Sequence, residues 1–311
     1  MLDAGARTLG WDDDGYPGLL REIPDPPPVL TVRGDLDGLK FGVGVVGARR
    51  CTGYGLEQSG RFAETLAGQG LSIVSGGARG VDTAAHRGAL RAGGSTVAVL
   101  GCGLGHCYPP ENAELFETIA ASEPGSGRAL VSELPVDAPP QAENFPARNR
   151  LISGLSIGVL VVEAGHRSGA LITARLAAED QNREVMAIPG RTTDAASLGV
   201  NELLRIGGAA LVTHPSHVLE VIESQAHHMY QGTHASRFAV AADTEPELAP
   251  PPVGLTDSQA ALLGLLSEPR TLDQLVELSG EPPHRLMSEL TALELARVAA
   301  RSGATYRRRD R

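Results

Sequence analysis

Residues 41–82 read FGVGVVGARRCTGYGLEQSGRFAETLAGQGLSIVSGGARGVD. An apolar run from Phe41 to Ala48 is followed by a helical period from Leu56 to Ala67, and then by a second apolar run from Leu71 to Ser75. Short β-rich runs that are apolar on both faces, joined by a helical segment, predict parallel strands buried under crossover helices. The pattern Gly42-x-Gly44-x-x-Gly47 matches the text of a dinucleotide fingerprint, in which the glycines follow the strand and open the helix. Here Gly42 and Gly44 fall inside the strand, alternating with Val43 and Val45, and no acidic residue ends the second strand. The spacing therefore argues against a dinucleotide cofactor.

The same alternation continues outward. Further strands are predicted at Thr96 to Gly101, Ala129 to Leu134, Ile157 to Ala164, Glu184 to Pro189 and Ala209 to Thr213. Helices are predicted at Val81 to Ala92, Asn112 to Ala121, Asn149 to Leu155, Leu171 to Asn182 and Asn201 to Ile206. The fold class is thus α/β, a doubly wound, mostly parallel sheet with helices on both faces. In that architecture ligands sit at the carboxyl ends of the strands.

Residues 1–38 read as an extension or adaptor, proline-rich at Ile23-Pro-Asp-Pro-Pro-Pro28, with an extended Val29 to Arg33 that lies along a neighbour. Residues 39–224 form the α/β domain. Residues 225–253, with His227-His228 and a Glu245-to-Pro252 stretch rich in proline, read as a linker. Residues 254–311 read as a small winged-helix-like domain: helices at Thr256 to Leu266, Leu272 to Ser279 and Pro282 to Leu295, then a hairpin from Arg297 to Arg307.

Whole-chain properties narrow the function. No stretch approaches the roughly 20 apolar residues of a membrane span, and no secretory signal opens the chain, which implies a cytoplasmic protein. Three cysteines make no disulfide framework and suit a reducing compartment. Cys102-Gly-Leu-Gly-His106-Cys107 supplies only three candidate ligands, so it reads as a structural turn and no metal or other cofactor is expected. A net charge of -10 over 311 residues excludes a broadly basic nucleic-acid coat and makes any such site local. Lys40 is the only lysine, a bias that reflects genome composition as much as chemistry.

Four loops at the carboxyl edge carry local positive charge, and a last one adds Arg191. The first strand runs into Gly47-Ala-Arg49-Arg50, where a guanidinium can grip phosphate, stack on a base, or simply pair with a neighbouring acid. The second ends in Ser75-Gly76-Gly77-Ala-Arg79-Gly-Val-Asp82, where a helix begins and its free amides form an anion site. Asp82 caps that helix or holds Arg79, and His86 follows one turn later. Asn144-Phe145-Pro-Ala-Arg148-Asn149-Arg150 sets phosphate donors beside an aromatic platform, the pairing that single strands require. Glu163 ends the fifth strand before Gly165-His-Arg167-Ser168-Gly169 opens another helix. Pro189-Gly-Arg191 follows the sixth strand.

At these residues the chain resembles the DNA-processing protein A family, also called the Smf family. The resemblance runs through Gly47-Ala-Arg49, Ser75-to-Asp82, Ala85-to-Leu90, Tyr108-Pro-Pro-Glu-Asn112, Ser132-Glu133, Asn144-to-Gly154, Ser168-to-Thr173 and Asn201-to-Leu204, and covers roughly Trp11 to Ile222. It implies a Rossmann-like domain that binds single-stranded DNA, forms a homodimer, and helps place the RecA recombinase on incoming DNA otherwise covered by single-strand-binding protein. Carried over, the DNA contacts fall on Arg49, Ser75, Gly76, Gly77, Phe145, Arg148, Asn149, Arg150, Arg167, Ser168 and Gly169. Two features depart from the family. Many members carry a helical domain before the adaptor, whereas this chain starts almost at the adaptor, as a short or trimmed form would. Arg167 stands where a lysine is common, which keeps the charge and changes its geometry. The third helix of the tail offers His284 and Arg285 against Glu289 and Glu294, a balance that favours a protein contact, or a weak duplex contact through Arg307-Arg-Arg309.

Two other readings stay open. A nucleotide-processing hydrolase on the same scaffold would draw acid and base from Glu163, Asp82 and His86. Against it, the fifth loop lacks the Pro-Gly-Gly-x-Gly-Thr run of the phosphoribohydrolases, and no Gly-x-x-x-x-Gly-Lys-Ser/Thr loop is present, so a non-enzymatic role is expected. The third reading is a scaffold acting through its tail domain.

Overall fold

The computed structural model describes residues 5–121, 123–229, 257–266, 270–282, 285–286, 289–290, 293, 298–302 and 305–308. The chain divides into two compact units, Met1–Gln231 and Gly232–Arg311. Among the described residues of the first unit, nine strands form one sheet: β1 (Ala6–Gly10), β2 (Val29–Gly34), β3 (Gly42–Val46), β4 (Ser72–Ser75), β5 (Thr96–Val99), β6 (Arg128–Ser132), β7 (Gly158–Val161), β8 (Glu184–Ala187) and β9 (Ala210–Leu211). Their spatial order is β1-β2-β6-β5-β4-β3-β7-β8-β9. From β6 to β9 every pairing is parallel, whereas β1–β2 and β2–β6 are antiparallel.

Chain direction reverses about β3. The chain steps outward through β4, β5 and β6 on one side and through β7, β8 and β9 on the other. Such a reversal leaves a crevice at the carboxyl ends of the two strands that flank it, here β3 and β7.

Strand alternation puts a core on each face. Val43, Val45, Ile73, Leu160 and Met186 pack under helices α2 (Gly53–Gly68) and α3 (Val81–Arg91) through Phe62, Leu66, Ala85 and Ala89. Val46, Val74, Val159 and Val161 face the other way, against Leu151 and Ile152 of α5 (Asn144–Gly154) and Ala170 and Ala174 of α6 (Gly169–Arg175). The residues between these helices complete the layers with α1 (Gly18–Arg21), α4 (Ala113–Ala120), α7 (Leu198–Arg205) and α8 (Pro215–Met229). No helix among the described residues is long and apolar enough to cross a membrane.

Among the differences from the sequence expectation, three stand out. The extended Val29 to Arg33 segment does pair, with β6, but it is joined by β1, whose half-exposed pattern shows no clean alternation in sequence. Helix α5 starts at Asn144, five residues before the expected Asn149, because Pro146 stands in its first turn, where backbone N–H groups have no intrahelical acceptor. Helix α8 runs on to Met229, through the first five residues of the expected linker. The remainder of that linker lies outside the described residues.

In the second unit, α9 (Asp257–Leu265) and α10 (Leu272–Ser279) precede a hairpin of β11 (Ala299–Ser302) and β12 (Thr305–Arg308), and β10 (Arg270–Thr271) adds a third strand in the order β10-β12-β11. Helix α10 opens on a capping box between Thr271 and Gln274 and closes on Gly280 at φ 67, a conformation glycine adopts freely. Residues 285–286, 289–290 and 293 are helical within the expected third helix. His284, Glu294 and Arg309 lie outside the described residues.

Candidate nucleic-acid interface

The crevice between β3 and β7 opens into a groove of ≈ 760 Å³, walled by the loops after β3 and β7 and by the amino end of α5. Three arginines stand exposed on it: Arg49 and Arg50 after β3, and Arg167 after β7, with His166 beside the last. Among the described residues no carboxylate pairs with any of the three. Unpaired guanidiniums at a strand edge are ready donors for phosphate.

Beside them, two adjacent aromatic rings lie between cations. The Arg49 guanidinium lies 5.2 Å from the Phe145 ring centre, Phe145 lies 5.3 Å from the Tyr108 ring at 41°, and the Arg79 guanidinium covers Tyr108 at 5.9 Å. Phe145 and Tyr108 are each half-buried, so each ring keeps surface toward solvent. Arg79 also grips Glu111 through both carboxylate oxygens, at 2.8 and 2.9 Å. The result is a row, Arg49–Phe145–Tyr108–Arg79, with flat faces and fixed positive charge.

Below the row the same residue types are buried and committed. Arg148 is 4% exposed. Its guanidinium donates to Gly76 O at 2.7 Å and to Val99 O. Burial pushes its pKa down to about 10, against the pull of Asp82. Asp82 accepts from the Gly76 and Ala78 amides at 3.1 and 3.2 Å, and burial raises its pKa while Arg148 and those amides oppose the rise. Gly76 leaves room for both groups, since a Cβ there would fall 2.7 Å from Arg148 Nη2 and from Asp82 Oδ2. At the helix start itself, Val81 N donates to Ala48 O and Thr83 N to Ala78 O, so backbone carbonyls take both amides.

The other acid and base candidates are spent in the same way. Glu163 is buried at the end of β7 and accepts from Thr52 N at 2.7 Å and Thr52 Oγ1 at 2.8 Å, which fixes the end of β7 to the start of α2. His86 is fully buried with Nδ1 2.8 Å from Thr96 Oγ1. Thr96 donates its own proton to Ile73 O, so His86 Nδ1 carries the proton in that pair. Burial, then the charge of Arg148, pushes His86 down to about 3. In the Cys102–Cys107 turn, Cys102 donates to His106 O and His106 Nε2 donates to Asp137 O at 2.9 Å. Among the described residues no group of three or more His, Cys, Asp or Glu could hold a metal ion.

Of the residues expected from sequence, the groove gathers Arg49, Arg50, Phe145, Arg148, Asn149, Arg167, Ser168 and Gly169. Asn149 donates to Gly169 O at 3.3 Å and so ties α5 to the loop after β7. Ser168 caps α6 by accepting from Ala170 N. Ser75, Gly76 and Gly77 are buried, and Ser75 Oγ donates to Val45 O at 2.6 Å. Arg150 turns away from the groove to a two-pronged pair with Glu133, 2.6 Å on each arm, and to Asp25. Its partners were spoken for by tertiary contacts that no local pattern announces. Tyr108 was not among the expected contacts. Its signal was an aromatic residue in a loop that follows a parallel strand.

The geometry can be set beside known proteins. The sequence model of DNA recombination-mediator protein A matches residues 7–223, and that of the DprA winged helix domain matches residues 246–304. Over 300 residues the chain is 42% identical to Protein Smf of Escherichia coli (strain K12), covering 96% of this chain and 76% of that one. It is 45% identical over 212 residues to DNA processing protein DprA of Streptococcus pneumoniae, covering 68% and 72%. The crystallographic DprA of Streptococcus pneumoniae superposes with a TM-score of 0.64 at 43% identity, over 69% of this chain and 73% of that one. A structure of DNA processing protein A from Helicobacter pylori, described as revealing a single-stranded DNA binding mode, superposes with a TM-score of 0.62 at 31% identity, over 72% and 98%.

Proposed function

Because the chain belongs to the DNA recombination-mediator protein A family, we propose that it binds single-stranded DNA along the carboxyl edge of its sheet and processes that DNA as a binder rather than a catalyst. The observation that carries this reading is the Arg49–Phe145–Tyr108–Arg79 row beside exposed Arg50 and Arg167, with no acid partner for these two or for Arg49 among the described residues. Bases stack on any flat face and phosphates take any guanidinium, so the row suits a strand of any sequence. Arg49, Arg50 and Arg167 serve as phosphate contacts, Phe145 as the stacking platform, and Asn149, Ser168 and Gly169 as the adjoining wall. Arg148, Arg150, Ser75, Gly76 and Gly77 act one layer down, by holding the row in place. The commitment of Glu163, Asp82 and His86 to internal hydrogen bonds supports a binding role over hydrolysis.

We extend the reading to its biological setting: as a cytoplasmic homodimer, the protein shields incoming single strands during transformation and helps load RecA on DNA otherwise covered by single-strand-binding protein. The test is anisotropy of a labelled oligonucleotide of about 30 nucleotides at two salt concentrations, with duplex as competitor. Strand-selective, salt-sensitive binding that Arg49→Ala weakens for all sequences alike is expected. Absence of binding by the intact protein overturns the reading.

A further inference from the structure

We propose that the groove between α2 and α3 is a second stretch of strand-binding surface, which takes phosphates of a DNA strand after it leaves the aromatic row. The proposal rests on the reading of that row as a single-strand site. Both helices start at the carboxyl edge of the sheet, α2 after β3 and α3 after β4, so the groove between them opens beside Arg79 and Gly80. Arg79 belongs to both places. Its guanidinium covers Tyr108 in the row, and the same residue lines the groove mouth. A strand that passes Tyr108 therefore meets the groove with no intervening element.

Helical period builds the walls. Thr83, Arg87 and Arg91 recur every fourth residue on α3, and Glu57, Arg61 and Glu64 face them from α2. The floor is kept low by Gly60 and Ala84, and a Cβ at Gly60 would come within 3.2 Å of Arg91 Nη2, so the glycine leaves the space that this guanidinium occupies. The groove measures ≈ 930 Å³.

Its charge is four arginines against three glutamates: two closed pairs, then exposed Arg61 and Arg87 with exposed Glu57. Arg79 pairs with Glu111 and Arg91 with Glu64, each at 2.8 Å. Between them Arg61 and Arg87 are exposed, and neither has a carboxylate partner among the described residues. Arg61 reaches two neutral acceptors, Gln58 Oε1 at 2.7 Å and Thr213 O at 3.4 Å. In a chain of net charge -10 this is a local positive excess on a surface continuous with the proposed site. The flanking pairs are exposed, so they are weakly held and can give way to phosphate. A protein partner fits the groove less well, because interface centres are depleted of charge and rich in aromatic anchors. Of the large apolar side chains lining this groove, only Leu56 is exposed among the described residues.

The experiment compares the full chain with an Arg61→Ala/Arg87→Ala double variant on labelled oligothymidylates of about 6 and about 30 nucleotides, a span that brackets single-module site sizes. Affinity for the short strand should change less than twofold. For the long strand it should fall about tenfold, and the slope of log K against log salt should shrink by about 1.4, two phosphates at about 0.7 each. A long-strand affinity and slope equal to those of the unmodified chain overturns the second stretch while leaving the row intact. Loss of the short strand by the double variant to the same degree as the long also overturns it, since the arginines would then act on the row itself. If the unmodified chain binds neither strand, the reading of the row falls, and this inference falls with it.

Discussion

Two layers of the carboxyl edge use the same side chains for opposite ends. In the upper layer Arg49, Arg50, His166 and Arg167 stand exposed, and no carboxylate among the described residues pairs with the arginines. In the lower layer Arg148, Asp82, Glu163 and His86 are buried, and each is bound to backbone or to a neighbouring hydroxyl. The difference is desolvation. A charge held away from water must be compensated by fixed partners, and those partners make it a strut. A charge left in water keeps its donors for a ligand. Arg49 and Arg148 thus sit in one groove, with the first positioned to bind and the second to hold the loops that position it.

The sharpest break between the layers comes from Arg148→Ala. It strands the buried carbonyls of Gly76 and Val99 and removes the charge that opposes the burial of Asp82, and each buried polar group left unsatisfied costs about 1–3 kcal/mol. A urea unfolding midpoint should register that loss, and an unchanged midpoint would put Arg148 in the upper layer. Arg49→Ala should do the reverse. Its unfolding free energy should stay within about 0.5 kcal/mol of the parent, while single-strand affinity falls by about 1.5–3 kcal/mol, the value of a charge-assisted hydrogen bond. Phe145→Ala removes the ring between Arg49 and Tyr108 and should weaken strand binding by about 1–3 kcal/mol for each base stacked there. Titration should show that loss to be less salt-dependent than the loss from Arg49→Ala.

The smallest effect sharpens the comparison through pH. Folded His86 is held down to about 3 by burial and by Arg148, whereas the unfolded side chain titrates near its ordinary 6.5. Between those values the unfolded chain carries one more proton, so His86 contributes its full stability above about pH 6.5 and loses it as pH falls, by about 1.4 kcal/mol per pH unit. Unfolding at pH 7 and pH 5 should show this slope in the parent and lack it in His86→Gln. Equal slopes would mean that the ring protonates in place.

The sequence alone was enough for the doubly wound sheet, because strands apolar on both faces and helices of regular period are local patterns that repeat. It was also enough for which loops lie on one edge, since every loop that follows a parallel strand emerges on the same side. Within those loops, residue type drew attention to Arg49, Phe145 and Arg167. Depth was beyond its reach. Arg148 and Arg150 stand two residues apart on α5, yet one points into the floor of the groove and the other to Glu133, 17 residues upstream in the chain. Tyr108 joined the row only because the loop after β5 folds back onto α5. Which amides stay free, which acids are used up and which rings meet depend on contacts between elements distant in sequence. Burial then sets the energy of each charge, and burial is a property of the packed molecule.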